Sequence, residues 1–171
     1  MSSTTRDRIT KAIEQATNVA IIVIALVLSG MFLKSYVFSS SNARPAISAG
    51  NKLEVQPVDW SNNTKNLVLV LSTTCRYCKE SAGFYRRLTQ ECKTRHIRTI
   101  ALFPQPADKA RAYLEDEGVQ VQEVLQTSMD KLEVKGTPTI LLVNNKGLVQ
   151  HVWTGRLPAS SENELLAKLG P

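Results

Sequence analysis

The chain has 171 residues, 43% hydrophobic and 21% charged, with a formal net charge of +6 at pH 7, enough for one globular domain and a small appendage. The excess charge does not argue for nucleic acid: from Pro45 onward 16 Lys+Arg stand against 13 Asp+Glu, and no basic stripe is interleaved with aromatics, so no nucleic-acid partner is expected. Three cysteines are too few for a disulfide framework, and Cys92, His96 and His151 do not complete a zinc ligand set with the other two, so no metal site is expected.

Residues 1–18 form a polar tail. Residues 19–38 are predicted to be a transmembrane anchor: Val19 to Leu33 carries no charge, the apolar character resumes at Tyr36, Val37 and Phe38, and Lys34 can snorkel to the interface. The competing reading is a cleaved secretory signal, with Arg6, Arg8 and Lys11 as its basic start and Ser41-Asn42-Ala43 as a cleavage site; the apolar run is long for that. Flanking charges are balanced, Arg6, Arg8 and Lys11 against Lys34, Arg44 and Lys52, and do not vote on orientation. Either reading exports the rest of the chain, provided the tail stays in the cytoplasm. Residues 39–51, rich in Ser, Asn and Ala, read as a linker.

A globular domain is expected over residues 52–171. Leu53 to Val55 with Val58 reads as a short leading strand, and Leu67 to Leu71 as a strand buried on both faces. A helix is predicted from Cys75 to about Lys93, with Ala82, Tyr85, Leu88 and Cys92 on its apolar face. Ile97 to Phe103 is a second buried strand. Ala107 to Glu117 is a helix closed by Gly118, and Val119 to Val124 a short strand. Thr139 to Val143, a turn at Asn144-Asn145-Lys146-Gly147 and Leu148 to Trp153 make a hairpin. Ser160 or Ser161 is read as the cap of a last helix that turns Leu165, Leu166 and Leu169 inward. The order implies a mixed α/β sheet with helices on both faces.

The motif with chemistry is Cys75-Arg76-Tyr77-Cys78, directly after a buried strand and opening a helix. Amide N–H groups at a helix start stabilise a thiolate, so Cys75 is expected to be the exposed nucleophile and Cys78, one turn on and turned inward, the resolving thiol. Arg76 and Lys79 lie within about a turn of the Cys75 sulfur and are expected to favour its thiolate. A fortuitous buried pair, or half of a metal site, is the bland alternative. Cys92, Trp60 and Trp153 read as packing residues. His96 and His151 have no evident partner.

These residues resemble the thioredoxin superfamily over roughly Lys52 to Leu169. A second matching element is Gly136-Thr137-Pro138-Thr139, leading into the buried strand that starts at Ile140. The resemblance implies a cis proline at Pro138 beside the cysteines, and backbone hydrogen bonds from Thr137 to a substrate chain. Within the motif, Arg76 and Tyr77 are candidates for substrate contact. The chain departs from ordinary cytoplasmic thioredoxins, which have Trp before the first cysteine, Gly-Pro between the two and a buried Asp six residues before the first. Here those places hold Thr74, Arg76-Tyr77 and Leu69. It looks more like exported disulfide isomerases and membrane-tethered thioredoxin-like proteins, among them those that reduce apocytochrome c.

The expected function is thiol–disulfide exchange with proteins outside the cytoplasm, without a cofactor. The partners would be protein thiols and disulfides, a redox protein that resets the site, and the membrane through residues 19–38. Two alternatives compete: a non-enzymatic soft-metal delivery or client-binding module using the same cysteines, and a peroxiredoxin-type peroxidase. Ser72 stands where a peroxiredoxin has Thr or Ser, but Val68 stands where it needs Pro.

Overall fold

The computed structural model describes residue 17, residues 19–30 and residues 46–170. The chain divides into two compact units, Met1–Arg44 and Pro45–Pro171. In the first, residues 19–30 are helical, with Val19, Ile21, Leu26 and their apolar neighbours exposed. Among the described residues, no helix is long and apolar enough to cross a membrane. Residues 31–38 of the expected anchor, and 39–45 of the expected linker, lie outside the described residues.

The second unit is built on five strands: β1 (Lys65–Val70), β2 (Arg98–Phe103), β3 (Glu123–Gln126), β4 (Thr139–Asn144) and β5 (Val149–Thr154), in spatial order β3-β2-β1-β4-β5. The sheet is mixed: β1, β2 and β3 run parallel, β4 is antiparallel to β1, and β5 to β4. The helices are α1 (Arg76–Glu80), α2 (Ala82–Thr94), α3 (Ala107–Asp116) and α4 (Ala159–Lys168).

The continuous apolar run of β1 reflects its central place. Side chains alternate across a strand, and both faces are covered here. Leu67, Leu69 and Leu71 pack into one core with Phe84, Tyr85, Leu88, Leu114 and Leu165, whereas Val68 and Val70 pack into a second core with Ile100, Leu102, Leu132 and Leu141. Each fully buried Leu is worth about 1.5–3 kcal/mol, and Leu69→Ala would cost about 2–5 kcal/mol through the cavity it leaves.

The buried apolar residues of all four helices belong to the first core, so the expectation of helices on both faces is corrected. Two parallel connections, β1 to β2 and β2 to β3, step across the sheet in the same direction, and right-handed crossovers of that kind lay their helices on one face. The other face is covered by Ile47, Leu53, Val55 and Trp60 from the segment before β1, and by Leu132 and Val134 from the segment before β4. Residues 46–51, assigned to the linker by composition, are therefore packed: Ile47 N–H donates to Glu133 O at 2.9 Å, and Gly50 N–H to Val149 O at 2.8 Å. The leading strand does not form; Lys52 makes an isolated bridge to Leu148, and Gln56-Pro57 is a cis turn.

Three further boundaries move. The helix expected from Cys75 to Lys93 is interrupted at Ser81, which has φ −92° and ψ 0° and is at once the C-cap of α1 and the N-cap of α2. The strand expected at Val119 to Val124 begins at Glu123 instead. The last helix starts at Ala159, after Pro158 and not at a serine cap; Leu165 and Leu169 are buried, and Leu166 is partly so.

Candidate functional site

β1 ends at Val70, and Leu71 to Thr74 carry the chain over the carboxyl edge of the sheet to Cys75. Cys75 is the N-cap of α1: its Sγ accepts from the Cys78 N–H at 3.3 Å, and its carbonyl from the Lys79 N–H at 3.3 Å. A sulfur thus takes the place of the usual capping oxygen and receives an amide N–H that would otherwise be unpaired. The other side of the site is the Thr137-Pro138 peptide, which is cis; the Cys75 thiol donates to Thr137 O at 3.3 Å. Pro138 is buried, and its carbonyl accepts from Gly155 N–H at 2.7 Å.

The two thiols differ in environment. Cys75 is half-buried and Cys78 has no exposed surface. Burial raises the pKa of Cys75, but hydrogen bonds from the Cys78 and Thr137 side chains and from the Cys78 and Tyr77 backbone outweigh it, and the net shift is downward. Burial pushes Cys78 up to about 12, and its interaction with Cys75 adds to that. Burial also holds the Tyr85 and Tyr113 hydroxyls above the ordinary tyrosine range. A reachable thiol that ionises, beside a hidden one that stays protonated, can attack a disulfide and leave the second thiol to release the adduct.

Cys75, Cys78, Thr137 and Pro138 are thus brought together. Tyr77 is 56% exposed beside them. Arg76 is turned differently from the expectation. Its Nε donates to Glu80 Oε1 at 2.7 Å, one helical turn along, and its side chain is 84% exposed. The lowering of the Cys75 pKa comes from its hydrogen bonds to Cys78, Thr137 and Tyr77.

One residue of the site has no motif to announce it. Gln105 Nε2 donates to Ser72 Oγ at 2.9 Å, and its Oε1 accepts from Thr73 N–H at 3.3 Å. Ser72 Oγ also lies 3.1 Å from Thr74 Oγ1 and accepts from Thr74 N–H, and Ser72 O accepts from Cys75 N–H at 3.1 Å. Gln105 comes just after β2, the parallel neighbour of β1, and sites in such sheets gather at the carboxyl ends of strands; that rule is the signal that could have found it. Ser72 is committed to this clasp. Cys92 lies in the core with no exposed surface, its thiol pushed up to about 12 chiefly by burial. His151 lies against Trp153, ring centroids 5.5 Å apart and planes tilted by 33°.

A mixed sheet with a Cys-x-x-Cys pair at a helix start and a cis proline across from it defines the thioredoxin-like class of protein. The family model of the thioredoxin-like domain matches residues 59–170, and the chain belongs to that family. No curated protein is similar enough to match the chain. Among solved structures it resembles a candidate thiol:disulfide interchange protein DsbE from Chlorobium tepidum, at 19% identity and TM-score 0.55 over 73% of this chain and 100% of that one. It is also similar to the thioredoxin domain of a thiol-disulfide oxidoreductase from Bacteroides vulgatus, at 13% identity and TM-score 0.58 over 72% and 98%. A third is StoA from Bacillus subtilis, at 14% identity and TM-score 0.50 over 72% and 98%. At these identities the likeness is one of fold.

Proposed function

We propose that this chain is a membrane-anchored thiol–disulfide oxidoreductase that acts on protein thiols and disulfides outside the cytoplasm through Cys75 and Cys78. The observation that carries the reading is the asymmetry of the pair, a half-exposed Cys75 of lowered pKa against a buried Cys78 at about 12.

In the reducing direction the Cys75 thiolate attacks a client disulfide; a new S–S bond forms, the client bond breaks, and one client sulfur leaves as thiolate. Thr137 holds the client backbone beside the bond, Pro138 shapes that contact, and Tyr77 and Arg76 meet the client from the rim. Cys78 then loses its proton and attacks Cys75, and the second client sulfur leaves. Once Cys75 is in the mixed disulfide its charge is gone, which removes the part of the Cys78 shift that comes from its neighbour and leaves burial. A redox partner restores the starting state. The anchor is residues 19–38, supported by their uncharged stretch.

Catalysis of insulin reduction by the wild-type chain tests the activity. Cys78→Ala should accumulate mixed disulfides through Cys75 and Cys75→Ala none; equal trapping by the two variants overturns the roles. A membrane-impermeant thiol reagent applied to intact cells after reduction should label Cys75, and labelling only after lysis would place the domain in the cytoplasm.

A further inference from the structure

The contacts around Cys75 close into a ring. Cys75 Sγ meets Thr137 O; Pro138 O takes the N–H of Gly155; Arg156 Nη1 reaches Glu80 Oε2 at 3.0 Å; and Glu80 Oε1 takes the Nε of Arg76, the residue after Cys75. Two arginines therefore share one carboxylate on the rim of the thiol. Both remain largely in solvent, Arg76 with 84% and Arg156 with 61% of the side chain exposed.

One carboxylate cannot neutralise two guanidinium groups, and among the described residues no second acid pairs with either of them. Lys79 is exposed on α1, and Lys135 is exposed two residues before Thr137. Glu133, two residues further back, is exposed. Glu162, which lines the same hollow as Glu80 and Arg156, is paired with Arg87 at 2.6 Å. α1 has no acidic residue in its first turn. With Arg76, Arg87, Arg156, Lys79 and Lys135 against Glu80, Glu133 and Glu162, the rim is net positive, and the Arg76 and Arg156 side chains remain largely in solvent.

We infer that this rim selects clients whose cysteine is flanked by carboxylates, Arg76 and Arg156 pairing with acidic side chains on either side of the sulfur attacked by Cys75. The inference rests on the oxidoreductase reading above and names its substrate class. It also accounts for Arg76 inside the motif, since that side chain is 84% exposed and held by Glu80 one turn along. Rim charges of this kind act mainly on association, and salt screens them.

The test uses the full chain in nonionic detergent, reduced, and three otherwise identical peptides whose single cysteine is flanked by Glu, Gln or Lys on both sides. Each carries its cysteine as a mixed disulfide with 5-thio-2-nitrobenzoate. Cys75 attacks the peptide sulfur and the coloured thiolate leaves; Cys78 then releases the peptide as a thiol and the Cys75–Cys78 disulfide forms. At low salt the Glu peptide should react about fivefold faster than the Lys peptide, on the scale of exposed ion pairs, with the Gln peptide between. The ratio should fall toward one at about 1 M salt, and Arg156→Glu should lower it at low salt. Equal rates for the three peptides, or a preference for Lys, overturn the inference while leaving the oxidoreductase in place. Failure to react with any peptide overturns the oxidoreductase reading and this one with it.

Discussion

Gln105 holds the strand end that presents Cys75: its amide grips Ser72 Oγ at 2.9 Å and Thr73 N–H at 3.3 Å, and Ser72 O in turn takes the Cys75 N–H. The residue touches neither sulfur, so it acts as a positioning residue. Gln105→Ala should release the loop from Ser72 to Thr74 and let the Cys75 sulfur drift from the amides that lower its pKa. The expected result is an upward shift of the Cys75 titration and exchange slower by roughly three- to tenfold, on the order of 1 kcal/mol of lost hydrogen bonding. Gln105→Glu should restore the loop's hydrogen bonds, because a carboxylate still accepts from Thr73 N–H and the Ser72 hydroxyl can turn to donate to it, while its negative charge works against the Cys75 thiolate and keeps that titration raised. A fall in thermal stability with an unchanged Cys75 titration would reduce Gln105 to a packing role.

The pair should separate cleanly in chemical labelling. Only the thiolate is alkylated at a useful rate, and only where reagent can reach it. Iodoacetamide on the reduced native protein should modify Cys75 with a pH midpoint below the ordinary value of 9.0, and leave Cys78 and Cys92 unmodified until the domain is unfolded. Peptide mapping by mass spectrometry across the titration reads all three sites at once. Modification of Cys78 at the rate of Cys75 would contradict the burial asymmetry.

Alkaline pH should destabilise the reduced domain. Unfolded thiols ionise near 9.0, whereas Cys78 and Cys92 hold their protons to about 12 in the fold. Their folded pKa is raised, so the contribution is fully present below about 9 and is lost as pH rises toward 12. Cys75 runs the other way: its folded pKa is depressed, and what it contributes above 9.0 is lost as pH falls through the folded value. Cys92→Ala should cost about 1–2 kcal/mol at neutral pH through the cavity, and flatten the decline above pH 9 by removing one of the two buried thiols. Urea midpoints of both proteins at neutral and alkaline pH give the comparison; parallel declines would mean that Cys92 ionises in the fold as readily as in the unfolded chain.

The strands are legible because a central strand covered on both faces must be apolar at every position, and Leu67 to Leu71 is. The Cys-x-x-Cys and Thr-Pro elements are legible because each stands beside such a strand. The hidden features depend on contacts distant in sequence. Covering of the second face by Ile47, Leu53 and Leu132 has no helical periodicity to announce it. Arg76 looks like a charge aimed at sulfur because sequence spacing places it one residue away; in space it pairs with the carboxylate of Glu80, four residues on. The break at Ser81 is masked because the apolar spacing from Ala82 to Cys92 runs on in phase behind Cys78, and neither Pro nor a run of polar residues marks it.

His96 sits at φ +55° just past the end of α2, where His96 N–H donates to Lys93 O at 3.3 Å and Ile97 N–H to Cys92 O at 2.9 Å. This pair of bonds is the Schellman closure, whose first residue beyond the cap is left-handed and is usually glycine. α3 ends in the same way with a glycine in that place: Gly118 at φ +66°, its N–H bonded to Glu115 O, and Val119 N–H bonded to Leu114 O. The histidine is exposed, so its ring contributes little packing to set against the left-handed backbone, which costs a residue with a Cβ about 1–2 kcal/mol. Glycine removes that cost and adds back part of it as unfolded-state freedom. His96→Gly should therefore stabilise the domain by about 0.5–1 kcal/mol, with thiol–disulfide exchange unchanged. Denaturant midpoints of the two proteins provide the measurement. A loss of stability on substitution would mean that the imidazole makes a contact worth more than the backbone strain it imposes.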